Sequence, residues 1–139
     1  MRFESKWEHF RTPAGVLYRP LVSAYIGRVE NGHAHRFLID SGADLSMVPR
    51  RAWTCEGAAW EDGEKRTFYG IAVKEECAVV GRIHWTRLIF PQAAFWIEIP
   101  ICYVDSDVSF VLGREGFFDH FRIAFDRAKR KTIFQTKQV

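Results

Sequence analysis

The stretch Phe37-Leu38-Ile39-Asp40-Ser41-Gly42-Ala43-Asp44 places a carboxylate directly after an apolar run and at the start of a Ser-Gly turn. A carboxylate near apolar walls loses hydration, which is costly unless the group is hydrogen-bonded, paired or protonated. Gly42 permits a tight turn and a close backbone approach, and Ser41 offers a small hydroxyl for local hydrogen bonds. An isolated Asp-Ser-Gly tripeptide is most often an ordinary surface turn. Its meaning therefore depends on the rest of the chain.

Composition predicts one folded domain. The chain has 139 residues, 47% of them hydrophobic and 15% aromatic, with a net charge of +3. This length is sufficient for a stable hydrophobic core without disulfide bonds or structural metal ions. The charge is too balanced to indicate a nucleic-acid partner. A small β-barrel that binds nucleic acid has only this mild basicity in its favour, because no aromatic-basic motif is present.

The cysteines and the N-terminus favour a cytoplasmic protein without a membrane partner. Cys55, Cys77 and Cys102 are widely spaced and odd in number, which is typical of free, mostly buried thiols in a reducing compartment. Charges are scattered through residues 1–10, so this segment does not have the pattern of a signal peptide. No run approaches the roughly 18 apolar residues of a membrane span.

Hydrophobic patterning predicts many short strands and little helix. The turn signal Asn31-Gly32 indicates a hairpin between the first two strands, and Pro49 suits the first turn of a short helix over 49–53. A second short helix is predicted over 115–120. The strands are predicted at 21–26, 33–39, 77–85, 86–90, 94–104, 110–112, 121–125 and 132–135. This pattern predicts a closed or sandwiched all-β domain.

Three segments in order resemble retropepsin-like aspartic proteases. Phe37–Asp44 resembles their active-site strand and loop, Phe68–Ile71 the tip of the flap hairpin over their substrate, and Val111–Glu115 their apolar-apolar-Gly-Arg signature. The resemblance extends from Leu21 to Phe134. It implies a retropepsin-like acid protease half-barrel with a flap hairpin and one short C-terminal helix. We expect one domain over 1–139, with an N-terminal extension over 1–19 and the protease core over 20–136.

The resemblance also implies site roles, residue by residue. Asp40 is expected to be the catalytic carboxylate, and Ser41 and Gly42 to support the active-site loop. The expected substrate-binding residues are Ala43, Asp44, Gly70 and Ile71. Asp44 is further expected to form a buried structural ion pair with Arg114. The sequence departs from the usual pattern with Ala72 in place of a second flap Gly, and with Glu115 after the Arg. Neither a metal nor a cofactor is expected, because the nucleophile of such an enzyme is water.

A single Asp-Ser-Gly motif predicts a homodimer. Aspartic proteolysis needs two carboxylates, one as a general base on water and one, protonated, to polarise the scissile carbonyl of a peptide or protein substrate. Val104-Asp105-Ser106-Asp107 lacks the Gly and is predicted to be a loop. Either Thr132–Phe134 or Met1–Arg11 could form an inter-subunit sheet. The alternative function is a proteolytically silent module of the same fold that binds peptides or mediates dimerisation.

Other signals have simpler interpretations. His33 and His35 would point to one side of a strand and could bind a metal, but without a third ligand we expect an exposed pair. The basic run Arg127–Lys131 is expected to be a solvated turn. Leu112, Phe117 and Phe118 could belong either to the core or to the dimer border. Core packing is expected for Trp53, Trp60 and Trp85.

Overall fold

The computed structural model describes residues 1–29, 32–54, 57–68 and 79–137. Its strands are β1 (Arg2–Lys6), β2 (Glu8–Thr12), β3 (Gly15–Arg19), β4 (Leu21–Ile26), β5 (His35–Ile39), β6 (Ser46–Pro49), β7 (Glu64–Phe68), β8 (Val79–Phe90), β9 (Phe95–Val104), β10 (Val111–Leu112), β11 (Phe121–Asp126) and β12 (Lys131–Thr136). Short helical turns occupy Arg50–Ala52, Trp60–Asp62, Pro91–Ala93 and Arg114–Phe118. The structure therefore confirms the all-β class with little helix.

Seven of the described strands form one sheet that closes on itself. Their order is β4-β5-β10-β6-β9-β8-β7, and a further pairing of β4 with β8 joins the two sides. Tyr25 pairs with Ile89 and Ile26 with Leu88 at this closure. Six strands thus surround a common interior, and β7 extends the sheet beyond them.

The strand β10 lies between β5 and β6, although both precede it by more than sixty residues in the chain. Val111 and Leu112 pair in parallel with Leu38 and Ile39 of β5, and Val111 also pairs with Met47 of β6. The residues that follow β10 are consequently placed beside the loop that joins β5 to β6. This loop is the Asp-Ser-Gly turn.

A second sheet, in the order β1-β12-β11, covers the core with aromatic side chains. Phe3 of β1 stacks on Phe134 of β12, with ring centroids 4.7 Å apart, and also contacts Phe90 and Phe121. Phe117 is fully buried in the same cluster, as is Leu112. These contacts assign Leu112 and Phe117 to the core, whereas Phe118 is only partly buried.

Two details of the strands differ from the sequence prediction. The described part of the segment 77–85, which begins at Val79, and the segment 86–90 belong to one strand, β8, which pairs with β9 from Gly81 to Phe90. No Gly, Pro or Asn interrupts the chain at residues 84–87, so nothing bends the ladder there. The terminal segments also pair within one chain, since β1 lies next to β12 from Arg2↔Gln135 to Lys6↔Lys131.

The helical segment before β11 is shorter than the predicted 115–120. Glu115 and Gly116 have non-helical backbone angles, with Gly116 at φ 84°. A Cβ at Gly116 would lie 2.8 Å from Pro100 Cδ, so a close approach to β9 also requires glycine there. Within Arg114–Phe118, the uninterrupted helical backbone therefore begins only at Phe117.

The prediction for the tryptophans is correct for two of three. Trp53 and Trp60 pack against the core. Trp85 is 75% exposed, so its predicted core position is wrong. It lies between His84 and Thr86, which are both buried, and successive side chains of a strand point to opposite faces. No helix of the described residues is long and apolar enough to cross a membrane.

Candidate active site

Asp40 lies at the end of β5, where the neighbouring strand holds its backbone. Its N–H donates to the carbonyl of Leu112 at 3.0 Å, and its own carbonyl accepts the N–H of Ala43 at 3.2 Å. The Oδ1 atom of Asp40 accepts the N–H of Gly42 at 2.9 Å. The residue is partly buried. The carboxylate is therefore fixed in orientation and remains accessible, as an acid–base group requires.

The segment after β10 is hydrogen-bonded to both sides of the turn. Gly113 donates its N–H to the buried Oγ of Ser46 at 3.1 Å. Arg114 N–H donates to the Ala43 carbonyl and Glu115 N–H to the Asp44 carbonyl, each at 2.9 Å. The turn is thus braced by the main chain of a segment distant in sequence.

Gly113 has no room for a side chain. A Cβ at this position would lie 2.4 Å from the carbonyl oxygen of Leu45 and 2.8 Å from that of Ala43. Its φ of −99° is ordinary for any residue, so the requirement for glycine is steric. This close approach allows the Gly-Arg segment to lie against the Asp40 turn.

Arg114 bridges two residues of the turn. Its guanidinium forms an ion pair with the Oδ1 of Asp44 and donates from Nη1 to the Ser41 carbonyl at 3.1 Å. The side chains are 53% and 84% exposed, respectively, in the single chain. The expected burial of this pair is therefore not found, because the turn lies at the surface of one chain.

The remaining predicted site residues divide into two groups. Ser41 and Gly42 are exposed, and Ala43 is partly buried. Gly70 and Ile71, predicted for the flap, lie outside the described residues. The described chain ends before them in β7 and resumes in β8, with Phe68 paired with Val79.

The predicted loop at Asp105–Asp107 faces two arginines, a contact that the sequence did not indicate. Arg50 lies 3.6 Å from Asp105 and Arg51 lies 3.8 Å from Asp107. These residues, with Pro49, Val104 and Ser106, line a groove of about 520 Å³. The parallel pairing of β6 with β9 brings the two segments together, and no local sequence signal indicates it.

A buried histidine forms a second cluster that the sequence did not indicate. The ring of His84 lies 5.3 Å from Trp53, 5.5 Å from Trp60 and 5.8 Å from Tyr103, measured between centroids. Burial raises the pKa of Tyr103 to about 12, and its hydroxyl is hydrogen-bonded to Thr86 at 2.8 Å. Three of these residues (Trp53, His84 and Tyr103) line a cavity of about 450 Å³.

The described residues offer no group of three or more His, Cys, Asp or Glu side chains that could hold a metal ion. Of the two histidines considered above, His33 is exposed, whereas His35 stacks on Phe110 with centroids 4.6 Å apart. Burial lowers the pKa of His35, and the charges of Arg51 and His33 lower it further. The His35 ring therefore packs against an aromatic side chain.

Comparisons with known proteins give matches among solved structures alone. No protein-family model matches the sequence, and no curated protein matches it. Thirteen chains of solved structures match. One is EIAV protease complexed with the inhibitor HBY-793, to which this chain is similar with a TM-score of 0.43 and 20% sequence identity, over 69% of this chain and 82% of that chain.

Proposed function

We propose that this protein is an aspartic-type endopeptidase that acts as a homodimer. The observation that carries the proposal is the position of Asp40. Its carboxylate is oriented by the Gly42 N–H at 2.9 Å, and its turn is braced by the inserted Leu112–Arg114 segment. A surface turn of this kind needs no such bracing, whereas an acid–base group must be held in place.

Each protomer contributes one Asp40 to a pair that flanks the scissile peptide. One carboxylate removes a proton from water, and the other, protonated, donates a hydrogen bond to the carbonyl oxygen. Two like charges a few Å apart do not both ionise easily, so the pair shares one proton. Water is the nucleophile, and the mechanism uses no metal or cofactor.

A second copy of the chain is the source of the second carboxylate. The nearest Asp-Ser of the same chain, Asp105-Ser106, follows β9, and Asp105 faces Arg50. Ser41, Gly42 and Asp44 are exposed in a single chain, as expected for a surface that a two-fold-related partner covers. Ala43 and Asp44, with Gly70 and Ile71, then contact the peptide substrate.

The substitution Asp40→Asn tests the proposal. Its side-chain oxygen can still accept the Gly42 N–H, so the fold is retained, while the general base is lost. We expect kcat/KM for a peptide identified from a random library to fall at least ~10³-fold. The matched control is Asp107→Asn, whose carboxylate is 92% exposed and should leave cleavage unchanged.

Mixed dimers make the test specific for a shared site. After equal amounts of wild-type and Asp40→Asn chains exchange, about one quarter of the dimers carry two wild-type chains. The mixture should therefore have about one quarter of the activity of the same total amount of wild-type protein. Unaltered cleavage by Asp40→Asn would refute the proposal. Wild-type protein that binds peptides without cleaving them would instead support the silent module.

A further inference from the structure

The strands β2 and β3 form a two-stranded sheet that is separate from both larger sheets. Their register runs from Glu8↔Arg19 to Thr12↔Gly15, with Pro13-Ala14 as the loop. Gly15 has φ 121°, a conformation that favours glycine. A hairpin of two strands is marginal in water unless it packs against another element. We therefore expect the β2–β3 hairpin to be more stable when it packs against another element.

One face of this hairpin carries an exposed apolar pair beside polar residues, with the guanidinium of Arg19 5.5 Å from the centre of the Phe10 ring. Phe10 and Leu17 lie directly opposite each other, so their side chains share a face, and they are 40% and 47% exposed. The other face carries Val16 and Tyr18, and the guanidinium of Arg130 lies 3.6 Å from the centre of the Tyr18 ring. Phe10 and Leu17 therefore form the one cross-strand pair of the hairpin in which both side chains are apolar and exposed, because Val16, which is 49% exposed, pairs with Arg11 and Tyr18 pairs with His9.

The hairpin extends from the end of the sheet where Asp40 lies. Leu21, at the start of β4, pairs with Leu38 near the end of β5. Pro20, between the hairpin and β4, accepts the N–H of Ile39 at 3.0 Å. Because β4 runs antiparallel to β5, the chain before β4 adjoins the chain end that carries Asp40.

We propose that the Phe10–Leu17 face packs against a second copy of this chain and that the hairpin is a dimerisation arm. This inference rests on the proposed function, which brings a second Asp40 to this end of the molecule. In a two-fold dimer each protomer contributes its own Phe10 and Leu17 to such a contact, so four half-exposed side chains become buried. The occupant of the face is thus the protomer whose carboxylate completes the site.

The double substitution Phe10→Thr/Leu17→Thr tests the arm. Threonine keeps a high strand propensity while removing most of the apolar surface. We expect the dimer dissociation constant from sedimentation equilibrium to rise at least ~30-fold. The matched control is Val16→Thr, on the same strand but the opposite face, which should change it less than ~3-fold.

These measurements use chains that also carry Asp40→Asn, so association is read without catalysis. A weakened dimer supports the arm even if wild-type protein cleaves no peptide, and then only the enzymatic proposal fails. The inference is overturned if the double variant associates within ~3-fold of its parent. Equal weakening by Val16→Thr, or a parent that stays monomeric to millimolar concentration, overturns it too.

A photocrosslink provides a second measurement that does not depend on the stability of the hairpin. With benzoylphenylalanine at position 17, irradiation should yield a covalent dimer whose crosslink joins differently isotope-labelled chains. The same group at position 85, which is 75% exposed on β8, should yield none. Crosslinks from position 17 that stay within one chain would contradict the inference.

Discussion

The substitution Gly113→Ala should destabilise the protein through one methyl group placed against main-chain atoms. The new Cβ would lie 2.4 Å from the carbonyl oxygen and 2.6 Å from the carbonyl carbon of Leu45. Ordinary contacts begin near ~3.4 Å, so the overlap is about 1 Å. A flexible side chain could rotate away, but these atoms belong to the backbone that leads into β6.

The expected loss in the free energy of unfolding combines the cost of the overlap with that of the hydrogen bonds which its relief would stretch. Overpacking of this kind costs about 1–3 kcal/mol. Relief of the overlap stretches the bonds from Gly113 N–H to Ser46 Oγ (3.1 Å) and from Arg114 N–H to the Ala43 carbonyl (2.9 Å). Each is worth about 1 kcal/mol, and the stiffer unfolded chain returns about 0.4–1 kcal/mol. We expect a net loss of about 3 kcal/mol in the free energy of unfolding.

Urea titration followed by tryptophan fluorescence measures this change, at one protein concentration because association adds to stability. For a chain of 139 residues the melting temperature should fall by about 10 °C. The comparison variant is Gly42→Ala, whose Cβ would meet, among the described residues, only the Asp40 Oδ1 at 3.2 Å and should cost less than ~1 kcal/mol. A Gly113→Ala protein whose free energy of unfolding lies within about 1 kcal/mol of wild type would contradict the predicted steric overlap.

Three further predictions concern single side chains. Arg114→Ala removes an exposed ion pair with Asp44 and a hydrogen bond to the Ser41 carbonyl. The free energy of unfolding should change by less than ~1 kcal/mol, while kcat/KM falls at least ~10-fold. Losses of stability and of activity that are equal when both are expressed as free energies would contradict this. The lowered pKa of His35 means that the unfolded chain binds the proton more readily, so the free energy of unfolding falls as pH drops through ~6.5. His35→Phe keeps the stacking on Phe110. In this variant the urea midpoint should depend less on pH between about pH 7.5 and 5.5. Burial raises the pKa of Cys102 to about 11, so peptide mapping should find it unalkylated by iodoacetamide at about pH 8 in native protein and alkylated in urea.

Local pattern was sufficient for strands whose partners are near in sequence. The segment 21–26 alternates and is followed by turn residues, and β4 coincides with it. β12 includes the predicted 132–135, and β11 includes the predicted 121–125. Such strands are predictable because one buried face imposes a period of two.

The pairing of the chain ends could not be predicted in the same way. Phe3 is the one buried residue of β1, so this strand has no alternation to detect. Its partner Phe134 lies 131 positions later, and the stacking of the two rings is a property of the folded core. Likewise β10 has only two residues, too few for any period, and its insertion beside Asp40 was not predicted; the resemblance implied only that Arg114, two residues later, pairs with Asp44.

The inserted strand couples the stability of the fold to the order of the candidate site, because the Leu112–Glu115 backbone bonds hold both the sheet and the Asp40 turn. A change at Gly113 should therefore lower stability and activity together. Asp40→Asn should lower activity alone, since its backbone bonds are kept. The Phe10–Leu17 face shares none of these bonds, so its loss should weaken association and reduce activity only at low protein concentration. Activity restored at high concentration in the hairpin variant, but never in Asp40→Asn, would separate assembly from chemistry.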